Sequence, residues 1–162
     1  MSPKNNWIYL WKRNQWEKKR TDIAFGEKHI TYAASDFMSR RGLTSGDTLY
    51  VASINNGVLY LGGRVEISAI LDRQSTALAL GVRAETLWPA NEYALGNLAN
   101  PDHFRPGLVV DTAVLDRMWM DHYERGKSLP VRNSKGGVDG QTFRMIRRLM
   151  TGAEAGLERL LQ

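Results

Sequence analysis

The chain has no cysteine among its 162 residues. That excludes a disulfide frame, a thiol nucleophile and any metal centre built on thiolates, and it makes a reducing compartment, the cytoplasm, the expected location. Histidine is scarce too: His29, His103 and His122 stand far apart in the sequence, and none has the i, i+4 spacing that turns two imidazoles toward one zinc ion. No metal and no cofactor is expected. There is no Gly-x-Ser-x-Gly elbow and no GxxxxGK[ST] loop, so neither an esterase nor a P-loop enzyme has support. No apolar run approaches the ~20 residues that span a bilayer, and the start MSPKNNW lacks the basic-then-apolar pattern of a secretory signal. A soluble chain with no membrane partner is expected. Low-complexity tracts and internal repeats are also missing.

What is present is enough for one core. A hydrophobic content of 43% with 24% charged residues suits a single folded domain over 1–162 and is unlike a disordered chain. The formal net charge of +5 favours partners that carry phosphate.

The pattern of elements is α+β. In Trp7-Ile8-Tyr9-Leu10-Trp11 every residue is apolar or aromatic, which predicts a central strand buried on both faces, with Trp7, Tyr9 and Trp11 on one side. The stretch SDFMSRRG predicts a short helix capped by Ser35 and ended by Gly42. Two β-rich runs joined by Asn55-Asn56-Gly57 predict a hairpin, because these residues tolerate the positive φ of a tight turn. From Leu71 to Pro106 the sustained period is lost, and a long excursion with one or two helical turns is expected. Asp111 opens a predicted helix that carries Val114, Leu115, Met118 and Trp119 on one face and stops at Gly126. KSLPVR reads as an edge strand because it contains Pro130. QTFRMIRRLM and TGAEAGLERLLQ read as a helical tail, with Thr151 and Glu154 at capping-box spacing. Trp7, Trp11 and Trp119 are expected in the core.

Asp47 and Glu66 flank the hairpin, but no lysine follows Glu66 at the alternate position and no other acidic residues converge with them. A metal-dependent nuclease within this chain is therefore not expected.

The segment SRRGLTSGDTLYVASINNGVLYLGGRVEI resembles the part of the PUA-like superfamily, its EVE and YTH branches above all, in which a short helix precedes Gly-Asp and a strand ends in serine. YLWKRN resembles the first strand of those domains, and LDRMWMDHYERGKSLPVRN their late helix and strand. The chain departs from the EVE pattern at two points: KRNQ replaces KSEP, and ITYAASDF replaces the W-x-G-V-R-N segment. The resemblance implies a small twisted PUA-like β-barrel flanked by helices. It also implies a reader that flips one modified base, methylated cytosine or adenine, into an aromatic pocket.

Carried over residue by residue, the resemblance puts Arg13, Asn14, Tyr32, Ala33 and Ser53 at the base, and Trp88 is placed by order as the second pocket aromatic. Lys12, Lys18, Lys19 and Arg20, with Arg40 and Arg41, form two runs of one sign that would follow phosphates; the same runs also suit an ordinary solvated face. The expected partner is nucleic acid, DNA favoured over RNA. The domain would serve as the specificity module of a modification-dependent restriction system, with the nuclease in a fused domain or associated chain. The alternative is an RNA-binding PUA-like protein that flips no base.

Overall fold

A computed structural model describes residues 4–24, 28–143 and 146–162. In chain order these form β1 (Asn6–Leu10), α1 (Arg13–Ala24), β2 (His29–Ile30), β3 (Tyr32–Ser35), α2 (Met38–Arg41), β4 (Thr48–Asn55), β5 (Val58–Glu66), β6 (Ala69–Leu71) and α3 (Arg73–Leu80). There follow β7 (Glu92–Leu95), β8 (Asp102–His103), α4 (Thr112–Leu115), β9 (Met120–His122), β10 (Gly126–Ser128), β11 (Ile146–Leu149) and α5 (Ala155–Leu160), with 3-10 turns at Ala84–Thr86 and Gly140–Phe143. The fold is a mixed α+β one. Its strands make a six-stranded sheet in the order β10-β9-β11-β1-β4-β5, a three-stranded sheet β3-β7-β6 and the pair β2-β8. In none of these orders does the last described strand pair back onto the first, so the described ladders are open.

β1 is central because both of its faces are apolar. Trp7, Tyr9 and Trp11 pack into one hydrophobic cluster, with Leu49, Val51 and Ile146. Ile8 and Leu10 point the other way, to Tyr50, Leu59, Met118 and Leu157. The strand pairs parallel with β4 and antiparallel with β11. A parallel neighbour requires a crossover connection, and α1 lies within it. One buried carboxylate fixes the entry to this sheet: Asp47 accepts from Trp7 Nε1 at 2.9 Å, the Asn5 amide at 3.0 Å and the Thr44 amide at 3.2 Å. Asp47 is thus a structural anchor, while Glu66 is exposed.

The hairpin forms as its sequence predicts, with Asn56 at φ 51° and Gly57 at φ 77° between β4 and β5. The strand register slips by one between Val51 and Ala52, so Gly62 is the additional residue of a bulge and Gly63 adopts φ 151°. Gly42 ends α2 in the left-handed region, donating to the carbonyls of Met38 and Ser39. Asp111 caps α4 by accepting from the Val114 amide at 3.0 Å.

Several elements differ from the sequence-based expectation. Ser35 belongs to β3, and the residue capping α2 is Phe37, although Ser35 Oγ does accept from the Phe37 amide. The helix expected from Asp111 to Gly126 lasts one turn; Met120–His122 is a strand, pairing with β10 and, at Met120, with Leu149. Gly126 opens β10 rather than closing a helix, and Pro130 lies beyond that edge strand. QTFRMIRRLM forms a 3-10 turn and β11, with residues 144 and 145 outside the described set. In both places an available strand partner outweighs helical periodicity. Glu154 caps α5 without a side-chain hydrogen bond, so no capping box forms. The excursion holds α3, β7 and β8, more regular structure than its composition suggests.

The C-terminal helix is tied to the sheet by a polar network. Tyr50 donates to Glu158, which also pairs with Arg64, and Leu157 beside them is fully buried. Burial foremost, and then Glu158, pushes the Tyr50 hydroxyl far above its ordinary range, and burial raises Tyr9 and Tyr32 as well. An unfolded tyrosine loses its proton near pH ~10, whereas these folded ones keep theirs. The folded state then holds more protons than the unfolded one, so stability falls as pH rises through that range. Unfolding free energies from urea titrations between pH ~8 and ~11 should therefore drop steeply above ~10, by up to about 1.4 kcal/mol per pH unit for Tyr50. Tyr50→Phe should shallow that drop, and a drop of unchanged slope would show that Tyr50 is not its source.

Candidate functional site

α1 is polar almost all round, yet its two long faces meet different surroundings. Gln15, Lys18, Lys19 and Asp22, spaced three and four residues apart, line one cavity. Arg13, Trp16, Glu17 and Arg20 line another cleft, with Ser53 and Tyr60.

The first cavity, of about 270 Å³, is walled by Trp11, Tyr32 and Trp88, with the buried Ile30 and Leu87 also in its lining. That is near the lower end of ligand clefts, which begin around ~300 Å³. Trp88 is held by both ends of its own peptide: its amide donates to the Tyr32 hydroxyl at 3.0 Å, and its carbonyl accepts from the Tyr93 hydroxyl at 2.6 Å. The two tyrosine rings lie 5.7 Å apart at 55°. This clamp explains how a tryptophan in a turn-rich segment holds a fixed place opposite β3.

Trp11 forms the inner wall. Its ring stacks at 6.1 Å and 24° on Phe104 and meets Trp16 edge-on at 6.4 Å, while Trp16 and Phe104 lie 4.7 Å apart. Gly62 makes that cluster possible, because a Cβ there would come within 2.8 Å of Phe104 and 2.9 Å of Trp16. The Trp11 carbonyl accepts from Ser53 Oγ at 3.2 Å. Yet Trp11 Nε1 is buried and has no hydrogen-bond partner among the described residues. Gln15, only 8% exposed, brings a second unspent polar group, since its side-chain amide makes no hydrogen bond among the described residues. Buried donors are seldom left unpaired without a reason, and a lost partner costs about 1–3 kcal/mol. The cavity thus has aromatic walls and the Gln15 side-chain amide in its lining, while Trp11 Nε1 is enclosed by protein. Lys18 and Lys19 sit at its rim; Lys18 pairs with Asp22 at 3.2 Å and Lys19 donates to the His29 carbonyl.

The structure brings Tyr32, Trp88, Lys18 and Lys19 together and separates the other sequence candidates from them. Arg13, Ser53 and Arg20 belong to the second α1 cleft. Lys12 and Asn14 are exposed at the start of α1, where the Asn14 side chain accepts from the Gln15 amide. Ala33 is fully buried and its backbone lies in the ladder opposite Ala94, which leaves no route from Ala33 to a ligand. Arg40 is exposed on α2, and Arg41 points to a third cleft beside Asp121. Trp7 and Trp11 are buried as expected, but Trp119 is 38% exposed with Lys127 Nζ 4.8 Å above its ring. Trp16, not Trp119, completes the buried aromatic cluster.

Gln15 and the wall role of Trp11 were missed from the sequence. A 15/18/19/22 spacing was available as a signal, but it is hidden in a run whose charges leave no clean apolar face. The histidines, distant in sequence, include one spatial pair: His29 and His103 face each other across β2-β8 with rings 4.9 Å apart. Among the described residues, no three His, Cys, Asp or Glu side chains gather as a metal site would need, and no helix is long and apolar enough to cross a membrane. Comparison with known proteins finds no family model, no curated protein and no solved structure that matches this chain.

Proposed function

We propose that the chain is a nucleic-acid reader that accepts a single modified base, methylated cytosine or adenine, in the cavity between Trp11, Tyr32 and Trp88. The observation that carries this reading is a cavity walled by Trp11, Tyr32 and Trp88, with the Gln15 amide in its lining and lysines at its rim. A planar, partly apolar ligand with a hydrogen-bond acceptor on its edge and phosphate outside fits those features. A base lifted from its stack loses a few kcal/mol, and stacking on an aromatic side chain returns roughly 1–3 kcal/mol. The Gln15 amide takes the edge of the base, Trp11 offers its ring as a wall, and a methyl group adds apolar contact with the walls. Lys18 and Lys19 meet the flanking phosphates, which makes affinity fall with salt. The resemblance to PUA-like domains of the EVE and YTH type agrees with this chemistry. DNA is the favoured polymer, and strand cleavage belongs to another domain or chain, as in modification-dependent restriction.

The test compares methylated and unmodified oligonucleotides, as DNA and as RNA, across a salt series. Trp88→Ala and Tyr32→Ala should each remove the preference for the methylated strand, weakening its binding by roughly 1–3 kcal/mol. Both residues lie outside the two main core clusters, so the urea midpoint should move far less than binding does. Equal affinity of the wild type for methylated and plain strands would sink the proposal. Tight binding of structured, unmodified RNA that ignores Trp88→Ala would instead favour an RNA-binding domain that flips no base.

A further inference from the structure

The third cleft lies at the β9-β10 end of the six-stranded sheet, encloses about 680 Å³ and sets four arginines, Arg41, Arg125, Arg147 and Arg148, against two carboxylates, Asp121 and Asp139. Asp121 is fully engaged: it pairs with Arg41 at 3.3 Å and Arg147 at 3.5 Å and accepts from the Arg148 amide at 3.0 Å. Arg147 is engaged too, donating to the carbonyls of Thr142 and Asp121 and reaching Ser128 Oγ, so it acts as a pillar of the cleft. The positive excess therefore falls on Arg125 and Arg148, which are exposed, with Arg41 behind them.

An aromatic platform stands at the same cleft. The three-residue loop between β9 and β10 is held by His122 Nδ1, which accepts from the amides of Glu124 at 3.1 Å and Arg125 at 3.2 Å, and Gly126 follows with φ 77°. This turn leaves the Tyr123 ring 91% exposed, stacked on His122 at 4.9 Å and 15°. Arg125 reaches His122 Nε2 with one guanidinium nitrogen at 3.3 Å and keeps the rest of its fork exposed, as Arg148 does, so a large ring displayed openly beside them offers one flat face to a ligand and charge to its neighbour.

We propose that this cleft binds a segment of single-stranded nucleic acid, with phosphates at Arg41, Arg125 and Arg148 and one base stacked on the open face of Tyr123. Arginine forks match phosphate oxygens, and a base gains from stacking whatever its identity. An acidic peptide matches the charge but brings no planar group for the ring. The site is separate from the base-reading cavity and shares only its polymer, so it supplies affinity without regard to modification.

The experiment is fluorescence anisotropy with labelled oligothymidylate on the whole chain, comparing the wild type, Tyr123→Ala and the double variant Arg125→Gln/Arg148→Gln. All three side chains are exposed, and equal urea midpoints verify that the variants fold. Tyr123→Ala should weaken binding roughly tenfold. The double variant should flatten the salt dependence by about 1.4 in log–log slope, the share of two phosphates on a single strand. Neither change should alter the ratio of affinities for methylated and unmodified strands, which Trp88 controls. Undiminished binding by both variants overturns the proposal, as does polyglutamate that displaces the probe as well as unlabelled oligothymidylate does. A wild type with no modified-base preference, whose oligothymidylate binding still drops in Tyr123→Ala, would sink the cavity reading and leave this site standing.

Discussion

Trp11→Ala is expected to lose about 3–5 kcal/mol of stability, the usual cost of removing a packed tryptophan, because the ring is the shared neighbour of Trp16, Phe104 and the strand core. Trp11→Phe should behave differently. It keeps a ring against Phe104 and deletes an N–H whose unpaired burial costs about 1–3 kcal/mol, which offsets much of the lost contact area. The fold should therefore survive with a urea midpoint close to that of the wild type, and because the aromatic wall is kept, the preference for the methylated strand should be kept too. The paired readouts separate wall from filler. If Trp11→Phe folds but loses the preference for the methylated strand, recognition needs more of Trp11 than an aromatic wall. If it unfolds like Trp11→Ala, the residue serves packing alone.

Gly63→Ala should be the most damaging single-methyl change in the hairpin. A Cβ at this position would lie 2.8 Å from the His103 carbonyl oxygen and 2.8 Å from Ile30 Cδ1, and the backbone sits at φ 151°, where side chains are strained. The His103 oxygen cannot retreat easily. Its strand is held by the Phe104 amide on the Lys28 carbonyl and the Arg105 amide on the Gly62 carbonyl, each at 2.8 Å. Strain of about 1–3 kcal/mol adds to overpacking of about 1–3 kcal/mol, so a loss of about 3 kcal/mol or more is expected in equilibrium urea unfolding. Gly42→Ala is the matched comparison, since its φ is 95° but nothing lies within 4 Å of the added Cβ. It should show only the backbone strain, about 1 kcal/mol. Similar losses for the two variants would mean that the close approach of β8 to the bulge has been overrated.

Much of the skeleton was legible because it depends on local chemistry. Asn56 and Gly57 accept positive φ, so the hairpin turn follows from two residues. Gly42 stops α2 and Asp111 caps α4 for equally short-range reasons. The apolar run Trp7–Trp11, four residues of which lie in β1, leaves no polar face to expose, so a central strand was the consistent reading. The excess of basic residues and the pairing of Tyr32 with Trp88 as aromatics near one site could also be named before any coordinates.

Pairing and proximity were decided by tertiary structure alone. Met120–His122 and Ile146–Leu149 carry helical periodicity but lie where β11 and β1 offer open ladder partners, and non-local hydrogen bonds outweigh a weak local preference. Nothing local sends Arg41 to Asp121 while Tyr32, nine residues earlier in the chain, faces α1, because the turn at α2 and the crossover to β4 set that separation. Burial of Trp16 and exposure of Trp119 follow the same rule. The bulge at Gly62 opens a slot for the Trp16 ring, whereas Trp119 precedes a short strand near the sheet edge with room outside it. Composition can supply aromatic rings and an amide, but only the folded chain brings Trp11, Gln15, Tyr32 and Trp88 to one cavity.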